Sequence, residues 1–243
     1  MGRRRFKRYL KWALWGGLGV AALLIAVVGP WPTYSSAWEG STYLAVSLDV
    51  LSERRAVHEE ATEKNSFRSG WKVVPIEPPE GTPLAGYGAR KGASSKGMRH
   101  AIFVKALALS DGEDTAIVVG SDLLIVPENI ADQVRETIAD STDLSGEEIL
   151  FNASHNHSGP GGFAPGWVSG VFNGSYRPDF ERQLVSVFVE AIEGALRNLE
   201  PSRLGGGGVE APDLIRNRER SDAPVDSEVS FLLFEQRGGG RCL

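Results

Sequence analysis

Apolar and polar positions divide the chain into three stretches. Residues 12–29 are uncharged and mostly apolar, and Pro30 and Pro32 follow. As a helix rising about 1.5 Å per residue, this run reaches roughly 27 Å, near the hydrocarbon thickness of a bilayer. Residues 39–62 predict an amphipathic helix, with Tyr43, Leu44, Val46, Leu48 and Leu51 as its apolar content and charges thickening toward its end. His58 sits among those charges and is expected to be solvated.

From about Gly70 onward the pattern alternates between strand and helix periods. Residues 71–76 predict a strand, and a stretch dense in Pro and Gly follows. Residues 100–109 alternate as a strand does. Residues 116–126 are nearly continuously apolar, as expected of a strand buried on both faces. Residues 128–142 predict a helix, with Ile130, Val134 and Ile138 at helical spacing, and 149–153 a short strand. A Gly/Pro-rich loop spans 154–173. Residues 178–199 predict a long amphipathic helix with Phe180, Leu184, Phe188, Ala191, Ile192 and Leu196 on one face, stopped by Pro201. Residues 203–210 and 228–235 predict strands, and the last eight residues do not read as a packed element. Strands interleaved with helices indicate an α/β body, a mixed sheet with flanking helices, preceded by a transmembrane helix.

Charge adds a direction to this plan. The chain has 243 residues and a formal net charge of −5. Residues 1–11 carry six basic side chains and no acid, which leaves 20 bases against 31 acids, a net of −11, on the rest. The basic cluster is expected to stay in the cytoplasm and the rest to cross. Trp12, Trp15 and Trp31 stand near the ends of the run, where aromatic rings favour the interface. The expected organisation is a basic cytoplasmic tail (1–11), an anchor (12–29), a juxtamembrane helical linker (30–69) and an extracytoplasmic body (70–243). A cleaved signal is the competing reading. Ser35, Ser36 and Ala37 form a weak cleavage site, and Arg3-Arg4-Arg5-Phe6 faintly resembles a twin-arginine signal. An acidic body excludes nucleic acid as a partner. The single cysteine, Cys242, excludes an internal disulfide and any Cys-based zinc finger or iron–sulfur centre.

The chemistry concentrates in residues 152–162, Asn-Ala-Ser-His-Asn-His-Ser-Gly-Pro-Gly-Gly. Two histidines two apart, leaving an apolar strand, are expected on the same side of the backbone. Imidazole is the commonest protein ligand for zinc, so the pair can supply two ligands, or one ligand and one proton carrier. The glycines after it suggest a sharp turn and open space in front of the rings. A pair of hydrogen-bonding loop histidines is the alternative. A metallo-β-lactamase-type site needs His-x-His-x-Asp-His, and here Ser158 and Gly159 follow the pair. A three-histidine site within the body depends on His100. Asp122 needs a partner for its charge, either a zinc-bound histidine or a structural hydrogen bond.

Several segments, in order, resemble the N-terminal part of the neutral/alkaline (non-lysosomal) ceramidase family. Residues 80–88, Glu-Gly-Thr-Pro-Leu-Ala-Gly-Tyr-Gly, resemble its early glycine-tyrosine loop. Residues 99–107 resemble the next strand, and 118–124 its buried Ser-x-Asp strand. His155-Asn156-His157-Ser158-Gly159-Pro160-Gly161-Gly162 is very close to its His-Thr-His-Ser-Gly-Pro-Gly-Gly signature, with Asn156 in place of threonine. Asn217-Arg218 resembles its Asn-Arg-Ser-Pro segment, with Glu219 and Arg220 in place of Ser-Pro.

The resemblance implies a zinc-dependent amidase that cleaves the N-acyl bond of ceramide to a sphingoid base and a fatty acid. It implies His155 as a zinc ligand, His157 as the second histidine near the reacting carbonyl, and Arg218 as the arginine that holds substrate or the developing oxyanion. Arg218 also reads as a surface charge beside Arg216 and Arg220. The family completes its zinc site with a second distant histidine, a glutamate and a tyrosine further along than this sequence extends. The expectation is therefore an incomplete catalytic domain with little or no activity by itself. A related zinc hydrolase acting on another amide or ester, and a non-catalytic anchored domain, remain the competing readings.

Overall fold

The computed structural model describes residues 3–28, 42, 45–49, 52, 67–217, 220 and 222–242. The chain divides into two compact units, residues 1–60 and 61–243. In the first, α1 (Arg3–Val28) is one continuous helix whose described side chains are exposed. Among the described residues no helix is long and apolar enough to cross a membrane. The expected spanning run ends at Gly29, outside the described residues. Of the amphipathic helix expected over 39–62, the described positions 42, 45–49 and 52 are helical. His58 lies outside the described residues.

The second unit is a seven-stranded mixed sheet with helices packed on it, as the alternating pattern predicts. In chain order its elements are β1 (Arg68–Ile76), β2 (Ile102–Ser110), β3 (Thr115–Ser121), α2 (Glu128–Ser141), β4 (Ile149–Ala153), α3 (Trp167–Asn173), α4 (Pro178–Arg197), β5 (Glu200–Glu210), β6 (Glu228–Gln236) and β7 (Arg241–Cys242). The strand order is β4-β3-β2-β1-β5-β6-β7. Only β3 and β4 pair in parallel, with α2 as their crossover; every other neighbour is antiparallel.

The period-2 pattern places Val104, Ala106 and Ala108 of β2 and Ile117 and Val119 of β3 on one buried face. Ile130, Val134 and Ile138 of α2 pack there, with Phe180, Leu184, Phe188 and Ile192 of α4. Each large side chain buried this way contributes roughly 1.5–3 kcal/mol of transfer free energy. α4 approaches β1 closely: a Cβ at Gly70 would collide with the Ala195 carbonyl, and one at Gly194 would stand 2.6 Å from the Lys72 side chain.

Three boundaries differ from expectation. β3 stops at Ser121, because Leu123 and Leu124 are buried in the segment that leaves the sheet rather than in a strand. α3 forms inside the stretch expected to be loop. Arg241–Cys242, expected to be unpacked, pairs with β6. Beyond its base, the β5–β6 hairpin exposes Leu204, Val209, Val229, Phe231 and Leu232.

Candidate active site

The site forms where β3 and β4 end. The segments that follow keep side by side: Ser154 N–H donates to the Ser121 carbonyl (2.9 Å) and Asn156 N–H to the Leu123 carbonyl (3.1 Å). Between them His155 takes φ +55°, the left-handed region. For a residue with a Cβ this conformation costs roughly 1–2 kcal/mol. His155 Nδ1 lies 2.9 Å from the Leu124 carbonyl. A carbonyl only accepts, so Nδ1 carries a proton, and in the neutral imidazole Nε2 then keeps its lone pair. His155 is exposed, and its Nε2 has no hydrogen-bond partner among the described residues.

His155 and His157 do come together, with ring centroids 4.7 Å apart at 69°. Strand alternation does not bring them there. β4 ends at Ala153, and the left-handed turn at His155 carries the pair.

His157 is held by the glycine-tyrosine loop. Gly86 has φ +105°, and a Cβ there would stand 2.6 Å from His157 Nδ1. The Tyr87 ring lies 4.6 Å from the imidazole, tilted by 56°. Arg90 Nη1 donates to the carbonyls of His157 (2.6 Å) and Ala85 (2.8 Å), and its guanidinium lies 4.9 Å over the Tyr87 ring. Ala85 N–H donates to the Gly159 carbonyl, and Leu84 pairs with Pro160. Residues 84–90 and 157–160 therefore form one unit. The His157 Nδ1 atom is buried with no hydrogen-bond partner among the described residues.

The glycines after the histidines do not open space, contrary to the sequence expectation. Gly159, Gly161 and Gly162 are buried. A Cβ on Gly161 would strike the Asn173 carbonyl, and one on Gly162 would lie 2.8 Å from the Ser175 carbonyl. They allow backbone to pack on backbone.

Behind this loop Glu181 is buried at 8% exposure and accepts hydrogen bonds from Asn129 Nδ2 (2.6 Å), Gln133 Nε2 (2.9 Å) and the Tyr176 hydroxyl. Asn129 also donates to the Phe163 carbonyl, joining α2, α4 and the end of the histidine loop. Burial pushes the Glu181 carboxyl up, but the donors outweigh it and hold it below its ordinary value. The same contact raises the Tyr176 phenol.

The remaining sequence candidates fall out differently. Asp122 serves structure: its carboxylate accepts from Phe103 N–H (2.9 Å) and lies 3.7 Å from Lys105 Nζ. His100 is exposed just before β2. Among the described residues no three of His, Cys, Asp and Glu lie together as a metal site, so His100 does not complete one. Arg218 lies outside the described residues. Sequence reasoning missed Arg90, whose only signal is its place in a turn-rich loop.

The donor set fits a zinc ion in part. His155 Nε2 has no protein partner among the described residues and its tautomer is already selected by a backbone carbonyl, whereas the unpartnered Nδ1 of His157 is buried against Gly86. Two imidazoles can contribute to a catalytic zinc site, which normally uses three protein ligands.

Comparison with known proteins places the chain in a family. Residues 77–224 match the family model described as neutral/alkaline non-lysosomal ceramidase, N-terminal. A neutral ceramidase of Mycobacterium tuberculosis is 25% identical over 156 residues, 61% of this chain and 24% of that protein. Neutral ceramidase A of Dictyostelium discoideum is 25% identical over 153 residues, 60% of this chain and 21% of that protein. The chain thus spans about a quarter of the length of these relatives. In fold it is similar to a ceramidase structure complexed with C2 (TM-score 0.65, 21% identity, 73% of this chain and 30% of that one). The neutral ceramidase of Pseudomonas aeruginosa is similar too (TM-score 0.63, 22% identity, 73% of this chain and 31% of that one).

Proposed function

The chain belongs to the neutral/alkaline non-lysosomal ceramidase family, and from that premise we propose that it supplies the histidine pair of a zinc-dependent amidase acting on ceramide-like lipids. The contact between His155 and His157, with one tautomer set by Leu124, carries this reading. His155 would hold the metal through Nε2. Zinc bound there would act as a Lewis acid toward the amide carbonyl. His157, packed between Gly86 and Tyr87, would move a proton between the attacking water and the leaving sphingoid amine. Arg218 would hold substrate or the oxyanion, because a guanidinium keeps its charge at any working pH.

With two histidines and no third ligand among the described residues, slow turnover is expected. The test is fatty-acid release from a short-chain ceramide, an N-acyl amino acid and an ester, with added zinc. Slow, zinc-dependent release favouring the ceramide, and lost in His157→Ala, is expected. Equal release by wild type and H157A contradicts the reading. A preference for the ester favours the related-hydrolase alternative, and zinc-independent folding with no turnover favours a non-catalytic domain.

The basic cluster at 1–11 and the apolar run at 12–29 support a single-pass anchor with the N-terminus cytoplasmic and the body outside. Signal cleavage after the run is the alternative. Protease added to intact cells is expected to digest the body while sparing residues 1–11. Protection of the body that persists after the outer envelope is opened contradicts both topologies, including a periplasmic body released by cleavage.

A further inference from the structure

The helix α3 is inverted. Its polar residues face inward: Ser169 Oγ donates to the Ala164 carbonyl (2.9 Å), and Asn173 is buried and donates to Ser169 Oγ (3.1 Å). Its apolar residues face out. Trp167 is 83% exposed, and Val168, Val171 and Phe172 are about half exposed. Spaced at i, i+1, i+4 and i+5, these four form one stripe. An exposed apolar face on so short a helix signals a partner surface.

Its position says more. The Phe172 carbonyl accepts from Gly86 N–H (2.8 Å), and a Cβ at Gly88 would touch Val171 at 3.4 Å. The stripe therefore adjoins the loop that packs on His157. Beside it, Gly92 packs on Gly174 at the end of α3, and a Cβ on either would lie 3.1 Å from the other's Cα. Gly92 belongs to a basic segment: residues 81–110 contain Arg90, Lys91, Lys96, Arg99 and Lys105 and no acidic residue. Lys91, Lys96 and Arg99 are exposed and form no ion pair among the described residues. In a body (residues 70–243) with 16 bases against 25 acids, a net of −9, this is a local reversal of sign.

We propose that α3 and the neighbouring basic loop form a docking surface for an anionic lipid bilayer. An indole and a phenyl ring on an exposed helix face suit the interfacial layer, and lysines and an arginine beside them suit anionic headgroups. A soluble acidic protein satisfies the charges but not four apolar side chains without a groove. A neutral bilayer satisfies the apolar stripe but not the charge. The purpose assigned to docking, presenting lipid next to His157, rests on the amidase reading; docking itself does not.

Because the anchor proposed at residues 12–29 would by itself hold the full chain on vesicles, the readout must report α3. The emission difference between wild type and Trp167→Phe isolates Trp167. Vesicles carry acyl-brominated phosphatidylcholine, with or without phosphatidylglycerol. Quenching of the Trp167 component in the phosphatidylglycerol vesicles is expected. Reversing Lys91, Lys96 and Arg99 (K91E, K96E, R99E) is expected to lower the docked population by about fivefold for each charge lost. Trp167 emission that ignores brominated lipid and is quenched by aqueous iodide, with or without vesicles, overturns the proposal. Equal quenching in phosphatidylcholine alone overturns its anionic part. Turnover is not measured, so failure of the amidase reading leaves this result intact.

Discussion

His155 donates its Nδ1 proton to the carbonyl of Leu124, 31 positions earlier, across 2.9 Å. Leu124 is buried in the segment leaving β3, and His155 sits at φ +55° in the segment leaving β4. The parallel β3–β4 pair thus selects the imidazole tautomer. Nitrogen-15 NMR of the zinc-free chain is expected to show neutral His155 protonated at Nδ1. A signal from the Nε2-protonated form contradicts the assignment.

Arg90 is the tie between the two loops. Truncating it leaves the carbonyls of His157 and Ala85 without their charged donor. Arg90→Ala is expected to lower unfolding free energy by about 1–3 kcal/mol. Arg90→Lys is expected to recover only part of this, because an ammonium cannot reproduce a planar guanidinium over Tyr87. Urea unfolding of the three proteins measures both effects, and an unchanged midpoint for R90A contradicts the role.

Glu181 predicts a pH dependence. Its folded carboxyl titrates below the ordinary value of 4.5. A depressed carboxyl contributes stability above that ordinary value and loses it as pH falls through the folded value. Glu181→Gln removes a buried, charge-assisted acceptor and is expected to cost about 2 kcal/mol at neutral pH. The gap between wild type and E181Q is expected to narrow in acid, below 4.5. A gap that is constant from neutral pH into acid contradicts the charged network.

Two glycines separate packing from helix propensity. At Gly161 a Cβ meets the Asn173 carbonyl, which no rotamer can relieve; at Gly170, inside α3, it meets nothing within 4 Å. Gly161→Ala is expected to destabilise by about 1–3 kcal/mol. Gly170→Ala is expected to stabilise by about 0.5–1 kcal/mol. Thermal unfolding of both variants checks the signs.

Most of the sheet was legible because its core residues keep one period. Val104, Ala106 and Ala108 alternate, and Phe180, Leu184 and Phe188 recur every fourth position. α3 was not legible, because its apolar side faces out and its polar side faces in, so its pattern resembles no core-facing helix. Leu123 and Leu124 lengthened the apparent strand, since burial and strand are separate properties that leave the same apolar signal. The histidine pair was legible from residues 155–162 alone. Its supports were not. Arg90 reaches His157 across 67 positions and Asn129 reaches Glu181 across 52, and separations of that size leave no local pattern.

Titration of the full 243-residue chain with zinc, followed calorimetrically, tests the central claim most directly. Weak but saturable binding of a single zinc is predicted for wild type, since two imidazoles fall short of the usual three ligands. His155→Ala is predicted to weaken it by about tenfold or more, and His157→Ala to weaken it less. A zinc isotherm that is the same for wild type and H155A would contradict the account.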